Sequence, residues 1–509
     1  MFKPGIYRVD ILILVTYQLC HFFSIQQIFP IFLNYTPKTA CKDGVCFKVP
    51  VTKCIECTNC TNLCPPGINQ KDCISENSFT YYKSAAMEFD IYCRPGWKDY
   101  RPAFIQYVGV LIGNVVLGYV ADRIGRRKTF ILSLLIGIPS LSLSASFNDI
   151  LPFYIFRFFT GIGIAGTMSV GWAYFSELVS PTQRFKLRTF SNWANARIML
   201  TLVAFFTQEW RLTSHLSAGI SCITLAIVVF ILPESHIFLS KMGRHEEAEE
   251  SRKRIAKLAG IEFSPLPPPE KPDVSQPAEK TGLGNVFTDP QLRTNILVLW
   301  VMWFSTGMTA YLTDLVGGDM TSNFYVGQFL SGILLSIVRI AMGFADGYLP
   351  WMGRRFVLIV SQSLAVFFFV FVILFLTLEE KGAWFYTAVY LAAFVFTSIC
   401  WEPAYLCASE LMPTDVRATS TASCAIVGRI ANILSSKISG LKTVYEPGVH
   451  MVSIGLGLTN ILVSSIWLKE TKNVSLDKAG AAKSEPAKTE EELKDLLDKE
   501  GTETAEKKE

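Results

Sequence analysis

The chain alternates long apolar runs with short polar turns. A bilayer core needs about 20 apolar residues per helix. Runs that meet this need cover 9–33, 103–121, 130–146, 152–179, 187–207 and 212–232. A second set covers 295–317, 324–345, 356–376, 384–411, 418–441 and 449–468. The fifth, sixth and eleventh runs are rich in small and hydroxylic residues, which helix–helix interfaces in lipid use. The pattern predicts twelve transmembrane helices in an all-α membrane protein. The run behind Lys3 and Arg8 is too long for a signal peptide and has no small-x-small cleavage site, so it reads as a retained first span.

Lys and Arg in short loops set the topology. Arg123, Arg126, Arg127 and Lys128 follow the second run, Arg184, Lys186 and Arg188 the fourth, Arg354 and Arg355 the eighth, and Arg417 the tenth. The opposite turns carry acids instead: Asp149, Asp314, Asp319, Glu379 and Glu380. Even-numbered spans therefore end in the cytoplasm, and both termini are cytoplasmic, with the plasma membrane as the expected residence. The organisation that follows is a first helix (1–33), an extracellular Cys-rich loop (34–101) and helices two to six (102–232). A cytoplasmic linker (233–293) comes next, helical over 244–258 and Pro-rich over 265–277, then helices seven to twelve (294–468) and a disordered Lys/Glu-rich tail (469–509).

Composition agrees: half of the residues are apolar and only 18% are charged, against about a quarter in soluble proteins. A net charge of +4 is too small to imply nucleic-acid binding. The chain has no phosphate-binding P-loop, so ATP-driven transport is not supported. No catalytic constellation, metal site or cofactor is expected, and the expected state is a monomer or a weak homo-oligomer in a lipid bilayer.

The outer loop holds Cys41, Cys46, Cys54, Cys57, Cys60, Cys64, Cys73 and Cys93. The spacing from Cys54 to Cys64-Pro65 matches an iron–sulfur string. The oxidising side of the membrane argues for disulfides instead, in any of 105 pairings. Asn34-Tyr35-Thr36 and Asn59-Cys60-Thr61 are glycosylation sequons, the second inside that string.

The chain also repeats itself. Gly125-Arg126-Arg127 recurs as Gly353-Arg354-Arg355, Glu177 with Arg184 as Glu410 with Arg417, and Pro233-Glu234-Ser235 as Lys469-Glu470-Thr471. Six helices thus recur as six helices, the plan of a transporter with its solute site between two bundles. An ionisable residue deep in a span is a functional candidate by default. Arg429 lies eleven residues into its run, about 16 Å deep at 1.5 Å per residue, near the midplane of a roughly 30 Å core. Arg157, near the outer part of the fourth span, is expected to pair within its own bundle. His21 is read as a packing residue.

Glu88-Phe89-Asp90-Ile91-Tyr92-Cys93 with Trp97, the stretch from Gly109 to Lys128, the stretch from Pro233 to Ala248, Glu410 to Arg417 and Glu470 to Asn473 closely resemble the organic anion/cation/carnitine transporters of the major facilitator superfamily. So does Tyr35-Thr36-Pro37 ahead of Cys41. The resemblance spans nearly the whole chain. It departs at Pro350, where the first repeat has Asp122, at His236-Ile237 and in a short N-terminus. It implies the major facilitator fold of two six-helix bundles and transport of a small organic ion. It places Arg429 where anion- and carnitine-transporting relatives have Arg and cation-transporting ones have Asp, and Arg339 where anion transporters have a basic residue. Two guanidinium groups suit a carboxylate or sulfonate, and an intracellular dicarboxylate is the candidate exchange partner. The competing reading for each arginine is a buried pair with an acid such as Glu402.

The resemblance also puts Tyr311, Trp401 and Phe205 at solute-contacting aromatic positions and Gln27 at a polar one. It implies an ion-pair network of Asp122, Arg126, Glu177, Arg184, Glu234, Glu410 and Arg417 that holds the bundles together when the site faces outward. Glu402 beside Trp401 keeps carnitine-like zwitterions and organic cations open as substrates. A non-transporting receptor or scaffold is the alternative of another class.

Overall fold

A computed structural model describes residues 8–35, 39–42, 45–48, 82–89, 102–179, 187, 189–261, 287–317, 321, 323–349, 351–378, 384–412, 414–443 and 445–471. Each predicted apolar run contains a helix. The first half holds α1 (Arg8–Ser24), α2 (Pro102–Ile124), α3 (Arg126–Ser144), α4 (Ile150–Leu178), α5 (Trp193–Thr207) and α6 (Trp210–Phe230). The second holds α7 (Pro290–Val316), α8 (Phe324–Tyr348), α9 (Arg354–Thr377), α10 (Trp384–Ile399, then Trp401–Glu410), α11 (Thr414–Ile438) and α12 (Glu446–Trp467). Between the halves lie the short helices His236–Lys241 and His245–Ala259, the latter amphipathic and closed by Gly260 at φ +70°. Among the described residues the departures from an all-helical chain are a Lys83–Glu209 bridge and an antiparallel hairpin, β1 (Thr39–Lys42) with β2 (Val45–Lys48), in which Cys41 lies opposite Cys46 in register.

Nine of the described helical stretches are long and apolar enough to cross a membrane. The other three are α3, which opens on Arg126, Arg127 and Lys128, α5, which has 15 residues, and α11, which carries Arg429 among serines and threonines. These three pack along neighbours: α3 on α4, α5 on α8, and α11 on both α7 and α2.

Two helices are broken where polar side chains gather. α1 gives way to a 3-10 turn at Ile25–Gln27 and then to Pro30–Leu33. α10 breaks at Cys400, three residues before Pro403, whose missing N–H cannot close the helical ladder. α2 and α4 cross so closely that a Cβ on Gly109 would lie 2.1 Å from the Phe158 carbonyl oxygen, and one on Gly161 would lie 2.2 Å from that of Gln106. Only glycine fits such a crossing.

The halves meet through α2 with α11 and through α5 with α8. At the end where α1 leads into the Cys-rich segment, rings seal the seam. Phe32 and Tyr35 of the first half lie 5.0 and 4.7 Å from Phe324 of the second. The Tyr325 hydroxyl donates to the Ala204 carbonyl at 3.2 Å, and the Lys437 ammonium sits 4.5 Å from the Phe104 ring centre. The opposite end carries the Gly-Arg-Arg turns and is called the basic end below. Among the described residues, ion pairs there stay within one half.

Candidate substrate site

The basic end holds two clasps built from the repeated motifs. In the first half, Gly125 at φ +122° turns the chain between α2 and α3. Glu234 then caps the start of α3, accepting the Arg127 N–H at 2.8 Å. A carboxylate there satisfies a free N–H and meets the positive end of the helix dipole. The Arg126 guanidinium reaches Asp122 at 2.6 Å and Glu177 at 3.7 Å, and Glu177 also accepts from the Ser235 hydroxyl. The second half repeats this arrangement. Glu470 accepts the N–H groups of Arg354 and Arg355 at 2.7 and 3.1 Å. Arg354 lies 3.6 Å from Glu410, which accepts from the Thr471 hydroxyl. Arg184 lies outside the described residues, as does the side chain of Arg417.

Between the aromatic seal and the basic end, polar groups face the seam. Arg429 of α11 crosses it: Nη1 donates to Gln27 Oε1 at 3.5 Å, and Nη2 reaches Met168 Sδ at 3.7 Å, both in the first half. The Tyr311 hydroxyl of α7 lies against the same guanidinium, and its ring meets Tyr107 of α2 edge-on, 5.6 Å between centres. Among the described residues Arg429 has no carboxylate partner. Gln27 is fully buried, yet its Nε2 has no hydrogen-bond partner there, and neither does the Tyr107 hydroxyl.

Trp401, at the break in α10, packs edge-on against Trp303, 5.5 Å between centres, and lies near Tyr405 at 5.6 Å. A Cβ on Gly428, the residue before Arg429, would touch both Trp303 and Trp401. The structure thus brings together five of the six sequence-derived solute residues: Arg429, Tyr311 and Gln27 around the guanidinium, Trp401 beside it, and Arg339 next to Trp401 through Glu402. Arg339 Nη1 lies 3.4 Å from Glu402 Oε1, in a half-buried pairing that competes with a solute role. Phe205 is apart, 46% exposed on α5 and packed on Tyr325 near the seal.

One reading is corrected. Asp314 is not an outer-loop acid. It lies in α7 at 13% side-chain exposure and is ion-paired to Arg197 of α5, itself 3% exposed. Arg197 also donates to Ser331 at 3.4 Å and lies over the Phe394 ring. The rule that selected Arg429 selects Arg197 as well, since it sits in the middle of an apolar run. Its partner could not be read from position alone. Arg157 is fully buried inside the first half, held by Gln106 at 3.5 Å, Ser214 at 3.4 Å and the rings of Phe29 and Phe153.

Asn34 is half-buried just after the Pro30–Leu33 turn. Asn59, Cys54, Cys57, Cys60, Cys64, Cys73 and Cys93 lie outside the described residues, as do the side chains of Cys41 and Cys46.

Residues 101–482 match the family described as "Sugar (and other) transporter". An uncharacterized protein of Caenorhabditis elegans is 27% identical over 485 residues, covering 93% of this chain and 94% of that one. Solute carrier family 22 member 7 of Mus musculus is 26% identical over 411 residues, 78% of this chain and 73% of its own. Solute carrier family 22 member 16 of Bos taurus is 26% identical over 402 residues, 76% and 67% respectively. Among solved structures, the inward open conformation of the xylose transporter XylE from E. coli superposes with a TM-score of 0.61 at 14% identity, covering 93% of this chain and 100% of that one.

Proposed function

We propose that this chain, which belongs to the sugar (and other) transporter family of the major facilitator superfamily and is a multi-pass membrane transporter, carries small organic anions. Arg429 is the observation that supports this most directly. It is a guanidinium between the halves with neutral neighbours from the first half and no described carboxylate. A partly buried cation without a counter-charge is costly, and a bound carboxylate or sulfonate relieves that cost through paired, charge-assisted N–H donors. Trp401, Trp303 and Tyr405 offer rings to the apolar body of such a solute.

On this reading the solute binds between the halves and is released as they rock about it, with the basic end in the cytoplasm. The clasps then brace each half internally while the seam opens and closes. The chain resides in the plasma membrane with cytoplasmic termini, and its outer loop is glycosylated and stapled by disulfides.

The test is uptake by cells expressing the chain, offered labelled phenylacetate, tetraethylammonium and glycine betaine. The expected result is saturable phenylacetate uptake that Arg429→Ala lowers roughly 100-fold, about 2–3 kcal/mol, with unchanged protein at the surface. Tetraethylammonium uptake that persists in Arg429→Asp, without phenylacetate uptake, would overturn the anion reading. No uptake of any of the three, with the protein at the surface, would favour a receptor.

A further inference from the structure

The charged side chains that line the seam between the seal and the basic end can be paired off one by one. Arg197 is neutralised by Asp314 across the seam. Arg339 is neutralised by Glu402 within the second half. Arg429 has neither kind of partner among the described residues. Among the described residues the seam therefore carries a single unbalanced positive charge.

Two neutral groups beside that charge offer hydrogen-bond donors. The acceptor of Gln27 is already used by Arg429. Still unused and buried beside it are the Gln27 amide N–H groups and the Tyr107 hydroxyl, whose ring meets that of Tyr311 edge-on beside the guanidinium. A ligand with two acceptor oxygens and one negative charge satisfies these donors and the charge together. A dianion would leave one negative charge with no unpaired cation to meet it, and burying such a charge is expensive. A zwitterion would bring an ammonium to a region whose described carboxylates, Asp314 and Glu402, are engaged by Arg197 and Arg339.

We infer that the site selects solutes of net charge −1 with an aromatic or apolar body, and that Glu402 sets this valence by neutralising Arg339. The inference rests on the anion reading above and narrows it. It also argues against a dicarboxylate as the exchanged solute. If Glu402 loses its charge, Arg339 becomes a second guanidinium without a described counter-charge, next in space to the residue that follows Trp401 in the chain, and the seam then suits two negative charges.

The experiment uses the full chain reconstituted in liposomes at neutral pH, where succinate carries two charges and phenylacetate one. The readout is the ratio of initial uptake rates of phenylacetate and succinate. Wild type is expected to favour phenylacetate by at least about tenfold. Glu402→Gln should lower that ratio by at least about tenfold, chiefly by admitting succinate. The double variant Arg339→Gln/Glu402→Gln, which again has one unpaired arginine, should return the ratio towards wild type. Equal use of both solutes by wild type overturns the inference and needs no variant to do so. An unchanged ratio in Glu402→Gln, with the double variant folded, overturns the role of Glu402. Absence of uptake of either anion by wild type is a different result, because it removes the anion reading itself.

Discussion

Arg429 and Arg197 reach the same seam from opposite halves, and their surroundings differ. Arg197 leaves the first half and meets Asp314, Ser331 and the Phe394 ring of the second. Arg429 leaves the second half and, among the described residues, meets the uncharged Gln27 and Met168 of the first. The first arrangement is complete in itself, since charge, hydrogen bonds and ring face are all supplied by the protein. The second has unused donors and an unbalanced charge. A buried ion pair is poor evidence of net stabilisation, because desolvation offsets much of the Coulomb gain, but it is strong evidence of position. Two groups that must meet define how the halves can sit. An unpartnered arginine instead defines what must come from outside.

Removing one partner from each arrangement separates them. Asp314→Ala leaves Arg197 buried and unpaired, which costs about 3–5 kcal/mol. It should lower the thermal midpoint of the purified protein markedly and reduce the amount reaching the surface. Replacing the pair together, Arg197→Met/Asp314→Leu, should recover most of that loss, since no charge is then stranded. Recovery of stability with transport still impaired would assign the pair to the movement of the halves.

Arg429→Met should behave oppositely. No acid is left behind, so the thermal midpoint should stay at or above wild type. Addition of phenylacetate should then stop raising that midpoint, since a ligand stabilises only the state it binds. A fall as large as that of Asp314→Ala would mean that Arg429 is structural and would collapse the contrast.

The smallest effect is expected at the clasps. Glu234→Gln and Glu470→Gln each keep an acceptor but remove the charge from a helix start, for about 0.3–1 kcal/mol. Because each clasp lies within one half, both variants should shift stability slightly and by similar amounts. Neither should change which solute is preferred in uptake. A change in preference from either one would link the basic end to the seam.

The repeat was readable in the sequence down to the residue. Gly125 with Glu234, and Gly353 with Glu470, recur as motifs and place the same capping carboxylate at a helix start, although Gly125 sits at φ +122° and Gly353 at φ −77°. Arg429 was readable too, because an arginine in the middle of an apolar run has few uses. Arg339 was legible as a candidate, while its engagement by Glu402 was not, since two helices had to be placed side by side first. Phe205 matched a family position, yet its ring lies on the α5–α8 seam near the seal, because helix rotation decides which way a side chain points. Asp314 was misplaced for a related reason. It stands near the end of an apolar run, where loop and helix are equally open to an acid.

Lipid imposes a length and a composition on every segment that crosses it, so the apolar runs determined where the helices lie and the recurring motifs determined the duplication of the fold. Charge pairing obeys no such local rule. Asp314 and Arg197 are 117 residues apart in the chain, and Gln27 and Arg429 are 402 apart. Only the packing of one half against the other decides which arginine finds a carboxylate and which is left for a solute.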